Sequence, residues 1–168
     1  MTVGGLSALN SLPADQLEEQ LSSCCAARAW VEQMSGGWPY PDVDAMLAAS
    51  DRAIENLEPD DVAQALAAHP RIGERASGTS TEATWSRQEQ ASVAGADTDV
   101  QKALHDGNLA YEQRFGHVFL ISASGRSALE MLTALRERLD NDPGTEEKVV
   151  TEELRKITRS RLERLLAS

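Results

Sequence analysis

Aromatic residues are scarce in this chain of 168 residues: three Trp, two Tyr and two Phe, 4% of the whole. Val and Ile are also too few to cover a large sheet. Leu and Ala dominate the apolar set, so the composition predicts an all-α fold. Cysteine is nearly missing. Cys24 and Cys25 are adjacent, no Cys-x-x-Cys pair exists, and His69, His105 and His117 lack the spacing of metal ligands. That argues against a zinc site and for two small core residues in a reducing compartment. Basic residues number 16 against 27 acidic ones, a formal net charge of -11. Such a surface repels nucleic acid, and an anionic small molecule would bind only beside local arginines. No apolar run is long enough to cross a bilayer, and no basic stretch followed by an apolar one opens the chain. Neither a membrane partner nor a signal peptide is expected. Leu165-Leu166-Ala167-Ser168 is no peroxisomal tripeptide. The expectation is a soluble cytoplasmic protein.

What is present is helical periodicity. The length suits a single domain over residues 1–168, built as a bundle of about seven to nine helices. Leu6 to Asn10 predicts a short turn of helix. Pro13 opens a helix whose stripe runs through Leu17, Leu21, Cys24, Cys25, Ala29, Trp30 and Met34 and stops at Gly36-Gly37. Asp42 caps the next, and Pro59 starts a short one. A helix is predicted from about Thr81 to Ala94. Another runs from Asp97 or Thr98 to Gly116. Two more cover about Arg126 to Leu139 and Thr145 to Leu166. Val118 to Ile121 is the one β-like run. Asn108 falls on an apolar stripe with Leu104 and Tyr111, so its polar group needs a partner.

One stretch concentrates chemistry: Ala67-Ala68-His69-Pro70-Arg71-Ile72-Gly73-Glu74-Arg75. The proline pushes His69 out of the α region, so a helix should end at or just before it. An imidazole there is favoured as imidazolium by the helix macrodipole. Arg71, Arg75 and Arg87 cluster around it in an acidic chain, which is mild evidence for an anion site. Each signal also has a plainer reading. His69 could cap a helix end. Glu89 could be the second half of a capping box, Ser86-Arg87-Gln88-Glu89, as Thr79 to Glu82 could be another. Gln90 could be a solvated helix residue. Arg161, on an apolar face with Leu154, Ile157 and Leu165, could snorkel.

Several stretches, taken in order, resemble the 2-oxo-4-hydroxy-4-carboxy-5-ureidoimidazoline (OHCU) decarboxylases of urate breakdown, in their bacterial form. They are Cys24-Cys25-Ala26-x-Arg28-x-Trp30, Ala68-His69-Pro70-Arg71-Ile72-Gly73 and Ser86-x-x-Glu89-Gln90. Asn108-x-x-Tyr111-x-x-x-Phe115-Gly116 follows, then Phe119-Leu120-Ile121, Gly125-Arg126-Ser127, Arg138-Leu139-x-Asn141, and the run from Glu153 to Leu162.

The resemblance implies an all-α single domain, often a homodimer, that needs no cofactor and converts OHCU to S-allantoin. It implies His69 and Glu89 as catalytic residues. It implies substrate contacts at Pro70, at Ser86, Arg87, Gln88, Glu89 and Gln90, at the main chain of Phe119, Leu120, Ile121, Ser122 and Ala123, and at Arg161. It gives no role to Arg71 or Arg75. Two other readings stay open on the residues alone. One is a non-catalytic acidic helical module that binds a protein partner, and the other is a cofactor-free hydrolase of a related ureide.

Overall fold

A computed structural model describes residues 5–74 and 76–167. These form ten helices and, among the described residues, no strand. They are α1 (Gly5–Asn10), α2 (Ala14–Cys24), α3 (Arg28–Gly36), α4 (Val43–Glu55), α5 (Pro59–Ala67), α6 (Thr81–Glu89), α7 (Ala91–Ala94), α8 (Thr98–Phe115), α9 (Ala128–Leu139) and α10 (Pro143–Ala167). The all-α expectation holds. Two stripes read as single helices are each broken in two, which brings the number to ten.

The first break follows Cys24. Cys25 and Ala27 are extended, with φ/ψ of -152°/123° and -69°/117°. Burial of Cys25 and Ala27 on either side of the break explains why the apolar stripe looked continuous. The second break falls at Gln90, where ψ of 15° ends α6 before the single turn of α7. The cap of α6 is Ser80, whose hydroxyl accepts from the Ala83 N–H at 3.1 Å. Ser86 is therefore a mid-helix residue, and Ser86 to Glu89 is not a capping box. A true capping box opens α9, formed by Ser127 and Glu130. The β-like run Val118 to Ile121 pairs with no strand and is an irregular connector between α8 and α9.

The chain divides into two units, Leu66–Glu153 and the remainder on either side of it. In the flanking unit, α3 packs against both α2 and α4. Trp30 is fully buried there and donates to the Ser50 hydroxyl at 3.2 Å. In the unit Leu66–Glu153, α8 and α9 form the main helix pair. Gly107 permits their contact, because a Cβ on it would lie 2.5 Å from Leu135 Cδ2. The core of this unit joins Leu104, Tyr111, Met131 and Leu135 to Ile72, Phe119, Ile121 and Ala123. Burying apolar side chains from connectors as well as helices fixes two irregular segments, the one after His69 and the one after Val118, on a common base.

Candidate active site

α5 stops at Ala67, and the His69 N–H closes a tight turn onto the Leu66 carbonyl at 3.0 Å. The chain end of the helix falls where the following proline requires it. His69 and Pro70 are half-buried, and they line a cavity of about 300 Å³ with Ala76, Ser77, Ala83 and Ser86. That volume is at the small end of ligand pockets. Ser86 is 4% exposed on the inner side of α6. Glu89 lies one helical turn beyond it, half-buried, and residues three apart share a helix face. Glu89 is not itself among the lining residues.

The run Ser86 to Gln90 splits by function. Arg87 donates to the carbonyl oxygens of Ala76 (2.8 Å) and Gly78 (2.9 Å). Gln90 accepts from the Gly73 N–H at 2.9 Å and donates to the Arg71 carbonyl at 3.3 Å. Both side chains thus pin the connector after His69 to α6, and they border a second cavity of about 310 Å³ with Gly73 and Gln101. Gln88 is exposed. Arg71 is engaged by Glu112 (2.8 Å) and Glu74 (2.9 Å), and hydrogen bonds to Glu74, then to Glu112, hold its guanidinium more firmly protonated. Acidic partners thus engage Arg71, and main-chain carbonyls engage Arg87. Arg75, the third arginine of that cluster, lies outside the described residues.

Phe119, Leu120, Ile121 and Ala123 are buried, and Ser122 is half-buried. None of the five lines the His69 cavity. Arg161 does not snorkel. It is 1% exposed on α10 and donates to the Ser23 carbonyl at 3.4 Å.

Sequence reading missed a buried polar cluster. Arg138 is 7% exposed and Glu146 1%. The Arg138 guanidinium meets Glu146 at 2.6 Å, and its Nη1 donates to the Leu120 carbonyl, also at 2.6 Å. It lies over the Phe119 ring, 4.5 Å from the centroid. Tyr111 donates its hydroxyl to Glu146, and Asn141 adds a bond at 3.1 Å. Burial, then the Glu146 bond, push the Tyr111 phenol far above its ordinary range. The available signal was Arg138 falling three residues after Leu135 and seven after Met131, on the buried stripe, where a charge requires a partner.

The model of the OHCU decarboxylase family matches residues 10–163. The chain belongs to the OHCU decarboxylase family. The Uric acid degradation bifunctional protein TTL of Arabidopsis thaliana is 33% identical over 154 residues, 89% of this chain and 47% of that protein. The chain thus spans about half the length of that relative. The 2-oxo-4-hydroxy-4-carboxy-5-ureidoimidazoline decarboxylase of Haloferax volcanii is 26% identical over 94% of this chain and 93% of its own. A crystal structure of an OHCU decarboxylase in the presence of (S)-allantoin superposes with a TM-score of 0.77 at 30% identity, covering 90% of this chain and 99% of that one. No described helix is long and apolar enough to cross a membrane.

Proposed function

We propose that this chain decarboxylates OHCU to S-allantoin as one domain over residues 1–168, in the cytoplasm, without a cofactor and as a homodimer. The reading rests on family membership and on one observation: His69, Pro70 and Ser86 meet in a single small cavity, with Glu89 one turn beyond Ser86.

In the reaction the bond between the ring carbon and the carboxylate breaks, carbon dioxide leaves, and the bonding pair moves into the ureide ring. A proton must then reach a ring carbon. His69 exchanges that proton, because imidazole is the side-chain type whose unperturbed pKa lies nearest neutrality. Glu89 fixes the imidazole tautomer or shares the proton, as paired titrating groups do. The main-chain N–H groups of Ile121 and Ala123 hold ring oxygens. Delivery of the proton to one face gives one enantiomer. Arg161, which matches a functional arginine of the family, is buried on α10 and donates to the Ser23 carbonyl.

The test is to generate OHCU from urate in situ, add the protein, and follow optical activity and carbon dioxide release. Dextro- or levorotatory signal growing with gas release at a protein-dependent rate supports the reading. Ring opening without gas release would instead indicate a ureide hydrolase, and no change in either signal would indicate a binding module.

A further inference from the structure

Residues 120–123 are held along one edge by charged side chains that sequence motifs leave without a role. Leu120 O accepts from Arg138 at 2.6 Å, and Arg138 is fixed by Glu146. The Ser122 N–H donates to Glu153 Oε1 at 3.3 Å. Ser122 O accepts from Arg126 Nε at 3.0 Å, and Arg126 Nη2 stands 3.7 Å from the same Glu153 oxygen. Glu146 and Glu153 are seven residues apart on α10, two turns, so they share a face roughly 10 Å apart along the axis. Glu146 and Glu153 are 1% and 5% exposed, so their geometry is set by packing rather than by solvent.

A trans peptide is planar, and its C=O and N–H point in opposite directions. Three successive peptides of this segment each have one end held. The opposite ends are the Ile121 N–H, the Ile121 C=O and the Ala123 N–H. Among the described residues none of these three has a hydrogen-bond partner, although Ile121 and Ala123 are 4% and 6% exposed. Buried main-chain groups are nearly always paired, so this edge is built to meet something else. A donor, an acceptor and a donor in series complement the C=O, N–H and C=O of a planar cyclic ureide.

We propose that Arg126, Arg138, Glu146 and Glu153 are positioning residues that preset this donor–acceptor–donor edge for the ureide ring. The inference rests on the decarboxylase reading above and deepens it. Arg126 is the most informative place to cut, since it is partly exposed and its loss opens no core cavity.

The experiment compares wild type, Arg126→Met, Arg126→Lys and Glu153→Gln. It measures OHCU kinetics, enantiomeric excess of the allantoin, thermal midpoint, and amide hydrogen exchange of Ile121 and Ala123. Arg126→Met and Glu153→Gln are expected to lower kcat/KM by about tenfold to a hundredfold, the scale of a misplaced substrate. KM should rise, enantiomeric excess should fall, and exchange at Ile121 and Ala123 should quicken, with Arg126→Lys partly restoring each. A merely structural role would lower the thermal midpoint and leave enantiomeric excess and KM unchanged, and that result overturns the proposal. If Glu153→Gln does not fold, Arg126→Met decides alone. Should wild type fail to act on OHCU, the decarboxylase reading falls. Quicker exchange at both amides in Arg126→Met would then still support the positioning role, and unchanged exchange would overturn it.

Discussion

Asn108 donates its side-chain N–H to the main-chain carbonyl of Ile72 across 2.7 Å, spanning 36 positions of sequence. The bond ties the middle of α8 to the connector that begins at His69. It is buried at both ends. Asn108→Ala leaves the Ile72 carbonyl without its donor, and an orphaned buried acceptor costs about 1–3 kcal/mol. Chemical denaturation should show that loss. Because His69 is three residues from Ile72, kcat for OHCU should fall as well, measured at a temperature where the variant is fully folded.

His69→Ala and Glu89→Gln should each lower turnover by on the order of a hundredfold or more, the usual contribution of a general acid or base. Circular dichroism in the far ultraviolet should match wild type. Rates near normal in both folded variants would remove the proton-transfer assignment.

The Tyr111 phenol gives stability a pH dependence. Its folded-state pKa is raised, so its contribution is fully present below the unfolded value of about 10 and is lost as pH rises above it. Unfolding free energy should therefore decline above about pH 10. Tyr111→Phe should flatten that decline and, at neutral pH, destabilise by about 1–3 kcal/mol, since Glu146 loses a donor in a buried place. Denaturation titrations across neutral and alkaline pH check both.

Gly107→Ala should be destabilising by about 1–3 kcal/mol through overpacking of α8 on α9. The added Cβ would lie 2.5 Å from Leu135 Cδ2, so that fully buried side chain must repack. A paired substitution, Gly107→Ala with Leu135→Val, should recover part of the loss, read as the shift in denaturation midpoint.

Asp142 stands immediately before α10. Its carboxylate accepts from the Thr145 N–H and hydroxyl, both at 2.9 Å, and these bonds hold its pKa below the ordinary value. The stabilisation is present above the unfolded pKa and lost as pH falls through the folded one. Asp142→Ala should lower the thermal midpoint at neutral pH, and the difference from wild type should shrink on acidification.

Local signals in the chain were enough for the helical class, the end of α5 before His69-Pro70, the Asp42 cap, the stop at Gly116 and the need of Asn108 for a partner. Each depends on the backbone preferences of one residue or on apolar spacing within a few turns, which are written in neighbouring positions. The breaks after Cys24 and at Gln90 were hidden because burial continues across them. Arg71 and Arg87 looked like ligands for an anion, and only folding brings Glu112, 41 positions away, to one, and the carbonyls of Ala76 and Gly78 to the other. The ion pairs that hold residues 120–123 were likewise invisible. A charge on an apolar stripe announces that a partner exists, but which carboxylate it meets is decided when helices pack, since the energy of the pair depends on distance and desolvation and on nothing adjacent in sequence.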